Sequence, residues 1–208
     1  MLELGNINAA KFVYKLKLAN SNEFALNISP TTVSWFTDGS CLNNGKYGAT
    51  AGYAVLCVSG YKRNTLMYGK VDDSLHKATN IRAEGIAILN ILELLTNDIK
   101  SDQWDRSIIY SDSEFWIKMF YNYMPKWQAT KFDTMANPDL TKRMWVIWNK
   151  LKTQKVVEFV HVYAHNKKKD ATSADPFKRF CHDNNALADY LAGVARKLPD
   201  YEIRIETL

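Results

Sequence analysis

Four carboxylates in this chain stand where its elements change direction, each in a short polar context of its own. Asp38 lies in Thr37-Asp38-Gly39-Ser40, closing an apolar, β-branched and aromatic run that starts at Val33. Asp112 lies in Tyr110-Ser111-Asp112-Ser113, closing a second such run that starts at Arg106. Glu84 sits one turn into a helical stretch, in Thr79-Asn80-Ile81-Arg82-Ala83-Glu84, and Asp189 sits in another, in Asn185-Ala186-Leu187-Ala188-Asp189. Two parallel strands that each end in Asp bring those side chains to neighbouring strand tips, where open α/β sheets place ligands. Helices packed on the sheet can add the other two. Taken singly, an Asp after a strand suits a turn, Glu84 suits the start of a helix dipole, and Asp189 suits a solvated helix position. Gathered together, carboxylates repel and do not all ionise unless cations neutralise them. Hard divalent ions with oxygen ligands, Mg²⁺ above all, meet that need. Two such ions, about 3.5–4 Å apart, could clamp the attacking and leaving oxygens of a phosphodiester displacement.

The elements that must position these residues follow from periodicity. Runs over residues 33–37, 51–58 and 65–71 read as three strands, with a Ser59-Gly60 turn between the last two. Thr79-Asn80 precedes a helix through about residue 96, whose Ile81, Ile88, Leu92 and Leu95 recur at spacings of three and four. A strand over residues 106–110, a helix over 115–123 stopped by Pro125, and a helix opened by Pro138 come next. A fifth strand spans residues 156–163, a lysine-rich loop residues 166–180, and a last helix about 184–196. Strands in direct succession pair antiparallel, and strands that return after helices pair parallel. The expected architecture is therefore α/β: a mixed five-stranded sheet, its first three strands an antiparallel meander, with helices on both faces. Residues 12–18 and 24–28 read as strand-like runs around an Asn20-Ser21-Asn22 turn, and suggest a β-hairpin packed on the domain or a separate binding element too short to fold alone. The expected division is an N-terminal extension over residues 1–32, a domain over 33–198 and a tail over 199–208.

Composition bounds the rest. At 208 residues with 47% hydrophobic side chains, the chain suits one folded domain and excludes low-complexity disorder. No apolar run reaches the length needed to span a bilayer, and no membrane partner is expected. Residues 1–10 lack the charged start and apolar core of a signal peptide, and the three cysteines are odd in number and widely spaced. These features lead to the expectation of an intracellular protein, cytoplasmic or nuclear. A net charge of +5 permits a nucleic-acid partner without establishing one.

With these motifs in this order, the chain resembles a type 1 ribonuclease H. The family's opening Thr-Asp-Gly-Ser stands at residues 37–40, its Thr-Asn-x-Arg-x-Glu helix start at 79–84, and its Ser/Thr-Asp-Ser at 111–113. Its late strand, His and Asn-x-x-x-Asp-x-Leu-Ala stand at residues 156–165 and 185–192. The resemblance implies a free-standing RNase H-like domain and an endonuclease that cuts the RNA strand of RNA–DNA hybrids, leaving 5′-phosphate and 3′-hydroxyl ends. It implies Asp38, Glu84, Asp112 and Asp189 as ligands of two Mg²⁺ ions, with Mn²⁺ a possible substitute. His165 takes the place of the family's mobile catalytic His. Gly39, Asn44 and Asn80 match contacts to the RNA strand, where the 2′-hydroxyl distinguishes RNA from DNA. Trp127 and Phe115 match a groove for the DNA strand, and Thr79, Arg82 and Asn137 match a phosphate pocket. The hybrid is the expected partner, no obligate protein partner is implied, and a monomer is expected.

Two features depart from the family pattern. The stretch between His165 and Asp189 is longer than usual and carries Lys167, Lys168, Lys169, Lys178 and Arg179, which suits either a solvated flap or added phosphate contacts. Residue 81, often polar in the family, is Ile here. Other readings remain. Proofreading-type exonucleases begin with Asp-x-Glu and integrase-type enzymes take their Glu late, so the order Asp, Glu, Asp, Asp favours ribonuclease H over both. A catalytically silent hybrid-binding module would have lost carboxylates, and all four are present. A ribonuclease H domain cut from a reverse transcriptase polyprotein is the third alternative.

Overall fold

The computed structural model describes residues 9–74, 76–126, 132, 135–163, 168–199 and 203–207. Helix α1 (Ala9–Asn20) and the single turn α2 (Glu23–Leu26) precede strands β1 (Thr32–Leu42), β2 (Thr50–Cys57) and β3 (Thr65–Lys70). Helix α3 (Asn80–Asn97) leads to β4 (Arg106–Ser111), then α4 (Glu114–Lys118), which runs into a π-helical turn at Met119–Tyr123. Helix α5 (Pro138–Leu151), strand β5 (Val156–His161), the short α6 (Lys168–Ala171), the long α7 (Pro176–Ala195) and strand β6 (Ile203–Thr207) complete the described chain. Among the described residues, no helix is long and apolar enough to cross a membrane.

The sheet order is β5-β4-β1-β2-β3-β6. The meander β1-β2-β3 is antiparallel, while β4 joins β1, and β5 joins β4, in parallel. Alternation along the strands divides the core between two faces. Trp35, Val55, Ile109 and Phe159 pack with α3 and α5 residues such as Ile88, Leu92, Met144 and Trp148. Phe36, Leu56, Tyr68 and Tyr110 pack with Phe180, Leu187 and Leu191 of α7. On that second face Phe36 stacks on Tyr110 at 4.7 Å, and Phe180 meets both rings edge-on.

Three expectations are corrected. Residues 12–18 and 24–28 are not a hairpin but lie in α1 and α2 and their edge. Phe12, Leu16 and Ala19 are buried at helical spacing against α7, while Lys15 and Lys17 stay exposed. Over seven residues, Lys-Leu alternation mimics a strand, and burial of one helical stripe decides otherwise. Phe24 then anchors α2 on Phe177 and Phe180 at 4.8 and 5.0 Å. The last helix begins at Pro176 rather than near residue 184, because the Asp175 side chain accepts a hydrogen bond from the Phe177 amide at 2.9 Å and Pro176 suits the first turn. Much of the expected loop over 166–180 is thus helical. The tail supplies a sixth strand, β6, antiparallel to β3, where Tyr68 donates to Glu206 at 2.9 Å.

The packing of α1 on α7 yields a stability prediction. Phe12 is 2% exposed and stacks near Tyr190, so Phe12→Ala should destabilise the protein. The expected loss is about 3 kcal/mol in denaturant unfolding. Tyr14→Ala, at a position 63% exposed, should change stability by less than about 0.5 kcal/mol.

Candidate active site

The site forms where two parallel strands part. β1 and β4 stay in register from Thr32 opposite Arg106 to Thr37 opposite Ser111. β4 ends there, whereas β1 continues to Leu42 against β2. Asp38 and Asp112 are the next residue on each strand, so they flank the opening. Asp38 shares the face of Phe36, toward α7, and Gly39 turns to the opposite face, toward α3. A Cβ on Gly39 would lie 2.5 Å from the Glu84 backbone nitrogen, so only glycine lets β1 lie against the first turn of α3.

Glu84 is fixed from both sides. Asn80 Nδ2 donates to its Oε1 at 2.7 Å, and Ser113 Oγ donates to its Oε2. The start of α3 is set by Thr79, whose Oγ1 accepts from the Arg82 amide at 3.1 Å. It is also tied to α4 through Trp116, whose indole nitrogen donates to Ile81 O at 2.7 Å. The Trp116 ring lies where a Cβ on Gly85 would come within 2.3 Å. From the other face α7 contributes Asp189, with Asn185 and His182 at helical spacing before it. Asp38, Asp112, Asp189, His182, Asn185, Ala186 and Tyr163 line one cleft of about 70 Å³.

The electrostatics follow from this crowding. Burial raises the Asp38 pKa well above the usual carboxylate range, and the charges of Asp112, Asp189 and Glu84 push the same way against the Gly39 amide, which donates to Asp38 Oδ1 at 2.7 Å. Burial pushes Glu84 up to about 7, with Asp112 adding to the effect and the Ser113 and Asn80 hydrogen bonds opposing it. The donor set is all oxygen and strained by like charge, which suits a hard divalent cation. Asn185 adds an Oδ1 that is buried without a hydrogen-bond partner among the described residues. Among those residues no three His, Cys, Asp or Glu side chains form a group that could hold an ion by themselves. Mg²⁺ is commonly held by one or two carboxylates with water and substrate phosphate completing its shell, so an open, shared arrangement fits it better than a closed cage would.

The other expected site residues divide. Asn44 and Asn80 come together, with Asn44 Oδ1 accepting from the Asn80 amide at 3.2 Å. Phe115 is half-buried, edge-on to Trp116 at 5.2 Å. Thr79, Arg82 and Asn137 are also neighbours, but the guanidinium of Arg82 is already engaged. It donates to Asp139 at 3.1 and 2.7 Å and to Asn137 at 3.2 Å, joining α3 to the start of α5. Arg179 donates to Ser173 O and so braces the turn before α7. His165 and Trp127 lie outside the described residues. Tyr163, His182 and Asn185 are cleft residues that the sequence reading gave no role. Asn185 stood in the quoted Asn-x-x-x-Asp motif, and His182 stands three residues before it, a spacing that becomes informative only once α7 is seen to begin at Pro176.

Comparison with known proteins places this arrangement. Ribonuclease H of Schizosaccharomyces pombe (strain 972 / ATCC 24843) is 35% identical over 113 residues, 52% of this chain, and the match spans 38% of that relative. LC9-RNase H1, a type 1 RNase H, covers 86% of this chain and 80% of its own at 17% identity, with a TM-score of 0.55. The foamy viral protease-reverse transcriptase in complex with an RNA/DNA hybrid covers 81% of this chain and 20% of its own at 16% identity, with a TM-score of 0.57. The two structures show that the fold is the mixed α/β RNase H-like one, here with a sixth strand. The RNase H family model matches residues 30–196, from the turn before β1 to the end of α7, and the chain therefore belongs to the RNase H family.

Proposed function

We infer that this protein is an endonuclease that hydrolyses the RNA strand of RNA–DNA hybrids with two divalent cations, Mg²⁺ or Mn²⁺, leaving 5′-phosphate and 3′-hydroxyl ends. The observation that carries the reading is the cleft at the parting of β1 and β4, where Asp38 feels the charges of Asp112, Asp189 and Glu84. The name of the fission-yeast relative and the hybrid bound by the foamy viral enzyme support the same substrate class. Bound in this cleft, the cations would supply an activated water and charge on the leaving oxygen.

The chain's own groups do the rest. Asp38, Glu84, Asp112 and Asp189 would hold the cations, and Asn185 Oδ1 adds a further oxygen to the same cleft. Asn80 and Ser113 aim the Glu84 carboxylate and keep it from turning away. Asn44, Asn80 and the backbone at Gly39 face the RNA strand, with hydrogen-bonding groups suited to a 2′-hydroxyl. Ile81, 40% exposed, offers no such group, so selectivity rests on the two asparagines and the Gly39 backbone. Phe115 provides an apolar surface for the DNA sugars, and His165 assists proton transfer or product release.

Two measurements test this. A labelled hybrid should be cut only when Mg²⁺ is present, and Asp112→Asn should slow cleavage by roughly a hundredfold or more, as removal of a metal ligand does. Absence of cleavage by the wild type, or undiminished cleavage by the variant, would refute the reading. The second concerns stability without metal. Glu84 binds its proton more tightly folded than unfolded, so its contribution favours the fold where it is protonated. Stability should then fall as pH rises from the ordinary value of 4.5 through about 7. Glu84→Gln should flatten that fall and raise the metal-free Tm at pH 8 by about 2–5 °C. Added Mg²⁺ should raise the wild-type Tm and raise that of Glu84→Gln less. Scanning calorimetry across pH, with and without Mg²⁺, reads both effects.

A further inference from the structure

Helix α1 precedes the segment matched by the family, and its placement gives it a wall of a second hollow. Between α1 and α7 runs a groove of about 630 Å³. Phe12, Lys15 and Leu18 line it from α1, and His182, Leu187 and Tyr190 from α7. It has His182, Ala186 and Asp189 in common with the carboxylate cleft, so whatever strand enters the cleft can continue into the groove. Its chemistry suits a nucleic-acid single strand. Phe12 and Tyr190 stack with ring centroids 6.2 Å apart, and Tyr190 remains 44% exposed. Lys15 is exposed on one side, and His182 stands at the junction of the two hollows. The acid in the groove other than Asp189 is Asp183, and it is held by His182 Nδ1 at 3.0 Å. An exposed aromatic face beside a lysine is a way for proteins to hold unpaired strands without reading sequence.

The geometry points to the α1/α7 groove as a subsite for single-stranded RNA that runs on from the cut strand beyond the hybrid. This rests on the nuclease reading, because the strand that continues from the carboxylates is the one they cut. Tyr190 supplies a stacking face, Lys15 contacts phosphate, and His182 lies where the strand passes from cleft to groove. The N-terminal extension is then a substrate-binding element, one that favours hybrids with an RNA overhang over blunt ones.

Binding by fluorescence anisotropy tests it with the full chain, Ca²⁺ replacing Mg²⁺ to keep the strand uncut. A blunt hybrid is compared with the same hybrid carrying an RNA overhang of about six nucleotides at its 5′ or 3′ end. Wild type should bind one overhang form at least about fivefold more tightly than the blunt form, the lower end of what one stacked base contributes. Lys15→Glu should bring that ratio close to one, while Lys100→Glu, exposed beyond the far end of α3, should leave it unchanged. A wild-type ratio of one for both overhangs overturns the inference. Equal loss with Lys15→Glu and Lys100→Glu also overturns it, since general charge would then be the cause. A ratio of one with a molecular mass that doubles with concentration assigns the groove to a second copy instead. Failure to bind any of the duplexes removes the nuclease reading itself, and this one with it.

Discussion

Like charges held together in a partly dry cleft are the constraint on which the rest of this structure depends. Carboxylates left to themselves separate or take up protons, and both outcomes would disable a site that needs them close and available. Burial and mutual repulsion raise the pKa values of Asp38 and Glu84, and that is the cost in question. Each of the four acids is therefore carried on a different regular element, β1, α3, the end of β4 and α7, rather than on one flexible loop. Rigid elements packed on a common sheet resist the separation that repulsion favours. On the proposed reading, a cation bound there would relieve that repulsion, which would couple metal affinity to the fold's own stability.

The scaffold spends its closest contacts near this point. Gly39 lets β1 touch the backbone of α3, and Gly85 lets α3 lie on the ring of Trp116. Trp116 in turn bonds to the first turn of the helix that carries Glu84. Arg82, 6% exposed, reaches across to Asp139 and fastens α5 to the same turn. Three neighbours, β1, Trp116 and Asp139, thus hold one helical turn, and the Glu84 carboxylate inherits their rigidity. The Arg82–Asp139 pair has a chemical consequence as well. A guanidinium already matched to a carboxylate is a poorer phosphate receptor than a free one, so that face of the protein contributes position more than charge.

Much of this was legible in the sequence, and the gaps have physical causes. The strand ends at Asp38 and Asp112, the Thr79 cap and the Pro138 helix start are local signals, each decided by a few neighbouring residues. The meeting of Asp38 with Asp112 is not local. It depends on a parallel register between strands far apart in the chain, and only the alternation of helix and strand hinted at it. The α1 segment failed for a different reason: seven residues of Phe-Val-Tyr-Lys-Leu-Lys-Leu satisfy a period of two as well as a helical stripe, and tertiary burial on α7 chose between them. In α7 the capping pair Asp175-Pro176 was present, but the neighbouring lysines drew the segment toward a loop reading. His182 was missed with it, since a residue outside a helix has no face to share with Asp189. In β6, Ile-Arg-Ile-Glu-Thr alternates cleanly, yet five residues at a chain end carry too little context to be assigned to an edge.

The extension and α7 are one mechanical unit. α7 presents two sides: Leu187 and Leu191 pack toward the sheet, and Tyr190 turns outward to meet Phe12. Asp189 lies between these, so its side chain is positioned by a helix clamped from within by the sheet and from without by α1. Phe24 of α2 reaches the same helix near its start, through Phe177 and Phe180. A helix held at both ends and on both sides cannot roll without breaking apolar contacts along its length, and a roll of one residue would carry Asp189 out of the cleft. The region outside the family match therefore bears on the cleft even where it touches no carboxylate, because it limits the motion of the helix that carries Asp189.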